Sequence, residues 1–247
     1  MQAEIVERVK EAMVASCNDT LEFTDEPAEQ LNAEYLFTVN TAKSINRLNG
    51  ACADPYSIYI EKKTKEFARD CLRPYSRGNP LERGSGQIRR DTPKIDRNGR
   101  IDVVVYSDIY NSGYFGKQPI CAVEVKGFNP QRKVVIADLK RNIELLRITG
   151  NTGNSVLKFC IFAALHSFKK TATEEKACLN IRSVEDRYGR WLSELGDLSD
   201  IDPEVSAFTV RKELVGRVID EGEYLTIDTD AKHHFVGVLV CFAKKEI

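Results

Sequence analysis

The spacing of apolar residues along the chain predicts helices alternating with strands. Helical spacing predicts helices at residues 2–16, 28–48, 132–148 and 171–195. Apolar, β-branched runs predict strands at residues 100–106, 119–128, 156–165, 208–214 and 234–243. This order is typical of an α/β fold with a mixed sheet, and it does not fit a repeating βαβ barrel. We expect residues 1–55 to form a helical part that packs on a core of residues 56–247, together making one compact domain.

The segment before residue 102 contains the clearest turn signal. Residues 56–60 alternate and predict a strand, and residues 61–72 predict a short helix that Pro74 ends. Asn98-Gly99 stands between two β-forming stretches. Because both central positions of a tight hairpin turn take positive φ, this pair predicts a hairpin that joins residues 95–97 to residues 100–102.

Three charged residues interrupt otherwise apolar strands. Glu124 and Lys126 are two positions apart, so they project from one face of their strand, and Asp102 lies near the start of a neighbouring strand. Charges in such surroundings cost folding free energy unless they are paired or bind an ion. Two nearby carboxylates repel each other, and a divalent cation such as Mg²⁺ or Mn²⁺ relieves that repulsion.

An Asp on one strand, a Glu-x-Lys on the next and then a helix with basic residues resemble the PD-(D/E)XK nuclease superfamily. The chain has Ile101-Asp102 where that family often has Pro-Asp. The resemblance covers roughly residues 56–166. It implies a three-layer, restriction-endonuclease-like core, in which helices flank a central mixed β-sheet.

The resemblance also implies Mg²⁺- or Mn²⁺-dependent hydrolysis of a nucleic acid, which we expect to be DNA. Asp102, Glu124 and the backbone carbonyl of Val125 would hold the metal. Lys126 would position or deprotonate the attacking water. Members of the family often add an acidic residue from the helix before the sheet. Glu61 is the first candidate for this residue, because it opens the helix predicted after residue 60, and Glu34 is the second.

The charge is unevenly distributed, although its total is only −1. Residues 73–147 contain 15 Lys and Arg against 8 Asp and Glu, a net charge of +7, and the rest of the chain has a net charge of −8. The total excludes a histone-like polycation, whereas the basic middle favours a local face that binds anions. Within it, the candidates for phosphate contacts are Arg89 and Arg90 of an arginine-rich loop (residues 73–90), and Lys140 and Arg141 of the helix predicted at residues 132–148.

Three interpretations other than a nuclease remain open. Glu124 and Lys126 can form an ordinary ion pair on a sheet face, beside an unrelated Asp102. The same scaffold can also serve as a non-catalytic module that binds nucleic acid or protein, or as a purely structural subunit. A module would bind DNA but neither Mg²⁺ nor Mn²⁺, and a structural subunit would not bind nucleic acid at low salt.

The sequence also suggests the cellular compartment of the protein and its assembly state. The start lacks the apolar core of a secretory signal, and no run of about 18 apolar residues predicts a membrane span. The seven cysteines are scattered, which favours a reducing cytoplasm. Four of them are expected to be buried thiols: Cys121, Cys160, Cys178 and Cys241. A homodimer, or a larger nuclease assembly, would allow both strands of a duplex to be cut.

Overall fold

A computed structural model describes residues 1–23, 33–50, 54–77, 87–95, 98–107, 117–169, 173–214, 217–220, 222–228 and 232–245. The helices are α1 (Gln2–Phe23), α2 (Ala33–Asn46), α3 (Thr64–Asp70), α4 (Arg132–Arg147) and α5 (Glu174–Ser193). The strands are β1 (Tyr56–Lys63), β2 (Tyr75–Arg77), β3 (Gln87–Arg89), β4 (Arg100–Ser107), β5 (Gln118–Phe128), β6 (Thr149–Gly150), β7 (Gly153–Asn154), β8 (Phe159–Lys169), β9 (Ile201–Leu214), β10 (Arg217–Asp220), β11 (Leu225–Asp228) and β12 (Lys232–Lys244).

Six of these strands form one mixed sheet in the order β1-β4-β5-β8-β12-β9. β5 and β8 run parallel, and the other neighbours in this sheet are antiparallel. Because parallel neighbours need a crossover connection, α4 follows β5 and returns the chain to the start of β8. The pairs β2–β3, β6–β7 and β10–β11 form separate two-stranded ribbons.

Helices cover both faces of the six-stranded sheet. On one face, apolar side chains of α3, α4 and α5, such as Phe67, Leu139 and Tyr188, share a buried core with strand residues. On the other face, α1 and α2 contribute Met13 and Phe37 to a second core. Complete burial of a large apolar side chain is worth about 1.5–3 kcal/mol. The chain therefore has an α/β fold in which helices flank a mixed sheet, and the central strands are buried on both sides.

The central elements agree with the sequence-based predictions. β4, β5 and α4 lie within one or two residues of the predicted ranges 100–106, 119–128 and 132–148. The helix predicted at residues 2–16 continues to Phe23 as α1, and the strand predicted at residues 208–214 begins at Ile201 as β9. Of the helix predicted at residues 28–48, the described part is α2.

The helix predicted to begin at Glu61 was placed too early. Glu61 belongs to β1, and α3 begins at Thr64. The segment after residue 60 is rich in Glu and Lys, which favour helix, yet antiparallel pairing of β1 with β4 continues to Lys63 opposite Arg100. Tertiary pairing therefore outweighs the local helix propensity of this segment.

The strand that follows Asn98-Gly99 does not pair with residues 95–97 as predicted. Ile95 is not in a strand, residues 96–97 lie outside the described residues, and β4 instead pairs with β1 on one side and β5 on the other. Gly99 adopts a φ of 143° just before β4, and its carbonyl accepts a hydrogen bond from the backbone N–H of Thr64 at 2.9 Å. The glycine therefore fits the end of the β1–β4 pairing.

The thiols are free in Cys17, Cys71, Cys121, Cys160, Cys178 and Cys241. Cys178 was expected in the core but is exposed, because its position on α5 faces away from the buried residues of that helix. Cys52 lies outside the described residues. Within the described ranges, no helix is both long enough and apolar enough to cross a membrane.

Candidate functional site

Asp102 lies where the backbone pairing between β4 and β5 ends. The registered pairs run from Ser107 opposite Gln118 to Val103 opposite Val123. Beyond them, Asp102 Oδ2 accepts a hydrogen bond from the backbone N–H of Val125 at 2.7 Å. The backbone N–H of Val125, which lies beyond the last registered pair, is therefore bound by the side chain of Asp102. Asp102 is 8% exposed, so its carboxylate is held beside β5 and largely away from water.

Glu124 projects from β5 towards α4. It is 1% exposed, and its Oε1 lies 2.7 Å from Nη1 of Arg141. This contact lacks hydrogen-bond alignment, so among the described residues Glu124 Oε1 has no hydrogen-bond partner. The guanidinium of Arg141 also donates to Asp138 Oδ1 at 2.7 Å and to the carbonyl of Arg100 at 2.9 Å. Arg141 is therefore the counter-ion of two buried carboxylates.

Lys126 connects the sheet with two helices. Its Nζ donates to Oε1 of Glu34, in the first turn of α2, at 2.5 Å. The same Nζ lies 3.6 Å from Oδ2 of Asp138 on α4. Glu34, the second candidate for the upstream acidic residue, is thus connected to the site by its hydrogen bond with Lys126.

Glu61, the first candidate for that residue, lies near Asp102 but not at the start of a helix. Its neighbours Ile60 and Lys62 pair with Val103 and Ile101, the two residues on either side of Asp102. Glu61 has a φ of 52°, which places its backbone in the left-handed region. For a residue other than glycine this conformation costs about 1–2 kcal/mol. Such strain often occurs at functional sites.

The electrostatic environment disfavours ionisation of the two strand carboxylates. Burial raises the pKa of Asp102 to about 6, and the charges of Glu34 and Glu61 act in the same direction. Burial likewise raises the pKa of Glu124 well above its ordinary value, and the nearby Arg141 offsets only part of that rise. Negative charge at this position is therefore costly to the fold.

Lys126 keeps its proton in this environment. Burial by itself lowers the pKa of Lys126, but the hydrogen bond to Glu34 and the charges of Asp138 and Asp102 outweigh burial and raise it. The side chain is therefore a fixed ammonium group. It can donate hydrogen bonds or neutralise negative charge, but it does not accept a proton at neutral pH.

The site contains more acidic than basic groups. Among the described residues, the carboxylates of Asp102, Glu124, Asp138 and Glu34 face two cations, Lys126 and Arg141. When all are ionised, the excess is two negative charges, which a divalent cation would balance. Carboxylate and carbonyl oxygens are also the donors that Mg²⁺ and Mn²⁺ prefer.

The donor set of Asp102, Glu124 and the Val125 carbonyl fits such an ion in chemistry and charge. Within the described part of the chain, however, no three His, Cys, Asp or Glu side chains already form a metal-ligand cluster. The contact between Glu124 and Arg141 is one reason, since it directs this carboxylate towards α4. A metal would have to compete with Arg141 for Glu124.

The residues expected to contact phosphate are in different situations. Arg89 belongs to β3, but its side chain lies outside the described residues, as do residues 78–86 of the arginine-rich loop. Arg90 pairs with Asp70 at 3.3 Å. Lys140 is exposed on α4, whereas Arg141 is only 5% exposed and turns towards the sheet. The structure therefore brings Arg141 to the carboxylates and not to an open surface.

Asp138 is a site residue that the sequence-based analysis missed. It is completely buried and contacts both Arg141 and Lys126. A signal was available, since Asp138 stands between apolar Val135 and Leu139 on the buried side of α4 and three residues before Arg141. At this spacing, opposite charges on a helix are neighbours.

Comparison with known proteins finds no match to a protein-family model, a curated protein or a solved structure.

Proposed function

We propose that the protein is a Mg²⁺- or Mn²⁺-dependent nuclease that hydrolyses phosphodiester bonds of DNA, on a three-layer core of the PD-(D/E)XK, restriction-endonuclease-like kind. One observation carries the proposal. Asp102, Glu124 and Lys126 interact electrostatically beyond the last registered β4–β5 pair, in a cluster that would carry an excess of two negative charges if all its carboxylates were ionised. Such an excess is unfavourable for a purely structural cluster.

Asp102, Glu124 and the carbonyl of Val125 would hold the metal. A bound divalent ion supplies Lewis-acid stabilisation of a phosphoryl oxygen and lowers the pKa of water. The N–H of Val125 already holds the carboxylate of Asp102 in place, whereas Glu124 would have to exchange its contact with Arg141 for the ion. The pKa values of both carboxyl groups are raised because the buried surroundings disfavour the ionised form. A bound cation would favour that form again.

Lys126 would orient the attacking water and neutralise charge that develops on the phosphate. The raised pKa of its ammonium group argues against the other role considered for it, deprotonation of that water. Glu34 holds the ammonium from the side of α2 and thereby limits its movement. Glu61, close to Asp102 and in a strained conformation, is a candidate for a further contact with the ion or its water.

A second candidate function, a non-catalytic module that binds nucleic acid, is favoured by the internal ion pairs of the cluster. Glu124 already contacts Arg141, and Lys126 already binds Glu34. In such a module these pairs would stay closed, and the protein would bind DNA without binding a divalent metal.

Cleavage assays separate the two functions. Purified protein should cut plasmid, single-stranded DNA or both in Mg²⁺ or Mn²⁺, and EDTA should stop the reaction. Asp102→Asn and Lys126→Met should abolish cutting while keeping the circular dichroism spectrum of the parent. Lys158→Met is the matched control, because Lys158 is exposed and precedes β8 at the opposite end of the sheet. Equal cutting by Lys126→Met and Lys158→Met would refute the proposal.

A further inference from the structure

A cleft of about 1030 Å³ lies beside α4, next to the carboxylate cluster. One wall is the segment of residues 91–94, a second is α4 itself, and a third is the turn formed by β6 and β7. Along α4 the lining residues extend from Ala137 to Arg147. At a rise of 1.5 Å per residue this stretch is about 15 Å long.

Specific contacts hold the walls of this cleft together. The carboxylate of Asp91 accepts a hydrogen bond from the backbone N–H of Asn151 at 2.6 Å, which ties residues 91–94 to the β6–β7 turn. Gly150 permits this approach, since a Cβ there would lie 2.7 Å from Cδ1 of Leu72 and 3.0 Å from Oδ2 of Asp91. On the far side, Arg147 Nε donates to Asp200 at 2.9 Å and fixes α4 to the start of β9.

The lining of the cleft has a formal net charge of +2, and its two arginines pair with carboxylates outside the lining. Four cationic residues line it, namely Lys94, Lys140, Arg141 and Arg147, against two acidic residues, Asp91 and Glu144. Lys94 and Lys140 are both exposed. The carboxylate of Asp91 is directed to Asn151. An anionic ligand would therefore meet two exposed lysines, with Glu144 as the other carboxylate of the lining.

Arg141 connects the cleft with the carboxylate cluster. The residue lines the cleft, and its guanidinium contacts Glu124 and Asp138. A polyanion in the cleft would thus lie against the same side chain that holds Glu124. The volume of about 1030 Å³ lies at the upper limit of sites that enclose small ligands, about 300–1,000 Å³, and is small for a duplex with two backbones.

We propose that this cleft binds the sugar–phosphate backbone of a single nucleic-acid strand, with Lys94 and Lys140 as phosphate contacts. The proposal rests on the proposed function, since it names the strand that the carboxylate cluster would cut. Contacts of this kind are electrostatic and do not depend on the base sequence. The cleft therefore gives affinity for any single strand.

The test measures binding of a fluorescein-labelled single-stranded DNA by anisotropy, in EDTA so that no cleavage occurs. Lys94→Gln and Lys140→Gln should each weaken binding severalfold at low salt, and each should reduce the slope of log K against log salt by about 0.7. Lys43→Gln is the matched control. Lys43 is exposed on α2, across the sheet from α4, and its replacement should leave binding unchanged.

These titrations test binding in the cleft independently of the proposed nuclease activity. Binding by Lys94→Gln and Lys140→Gln that equals wild-type binding would overturn the cleft proposal, even if the protein cuts DNA in Mg²⁺. Tighter binding of a poly-glutamate peptide than of DNA would overturn it in favour of an acidic protein partner. Lysine-dependent binding of DNA by a protein that never cuts would support the cleft while refuting the nuclease.

Discussion

Replacement of Asp102 by Asn should make the protein more stable at neutral pH, because the ionised carboxylate is costly in the fold. Asp102 is 8% exposed, and burial raises its pKa from an ordinary 3.8 to about 6. Asn has the same shape and keeps an oxygen that can accept the Val125 N–H. The substitution therefore removes the charge while it preserves the hydrogen bond.

The size of the effect follows from the pKa. One pKa unit corresponds to about 1.4 kcal/mol, so a rise from 3.8 to about 6 amounts to about 3 kcal/mol. The pKa of Asp102 is higher in the folded than in the unfolded chain, so the protonated carboxyl group adds to the free energy of unfolding. This contribution is complete below pH 3.8 and is lost as the pH rises through about 6. The gain from Asn should thus be small near pH 4 and reach about 3 kcal/mol above pH 7.

The assay is urea unfolding of both proteins in EDTA at a series of pH values from 4 to 8. Taking the difference between variant and parent at each pH cancels the contributions of other titrating groups. Asp202→Asn on β9 is the matched control, because Asp202 is exposed and its replacement should change stability little at any pH. An Asp102→Asn variant that is no more stable than the parent at pH 8, or equally stabilised at pH 4 and pH 8, would refute the reasoning.

Two further substitutions test packing and pairing. Arg141→Met should lower the free energy of unfolding by about 3–5 kcal/mol, since Glu124 and Asp138 would lose their shared cation. A loss below about 1 kcal/mol, measured by urea unfolding, would show that this pairing contributes little to stability. Gly237→Ala should cost about 1–3 kcal/mol, because the new Cβ would lie 2.9 Å from Cζ of Phe208; an unchanged Tm would contradict the close packing of α1, β9 and β12.

The elements that carry the site were predictable because their patterns are strong. β4 and β5 are long runs of β-branched and apolar residues, and the central parts of both are buried on both sides of the sheet. The apolar stripe of α4, including Val135 and Leu139, is buried as its spacing predicts. The strand order was not predictable to the same degree, because pairing between distant segments leaves no local signal.

The remaining differences have physical causes. Glu61 was assigned to a helix because its neighbours favour one, but the edge of β4 offered pairing that only the folded chain provides. Arg141 was expected to contact phosphate, yet buried Glu124 and Asp138 hold it towards the sheet. Buried ion pairs between an interior strand and a helix depend on tertiary contacts, so the pattern along either element does not reveal them.

Titration calorimetry with Mn²⁺ above pH 7 tests the central claim most directly, because it measures the metal site without requiring the right nucleic acid. We expect the parent protein to bind Mn²⁺, and Asp102→Asn and Glu124→Gln to lose that binding while remaining folded. Asp202→Asn should bind Mn²⁺ as the parent does. No binding by the parent, or equal binding by the parent and Asp102→Asn, would contradict a metal site built on Asp102 and Glu124.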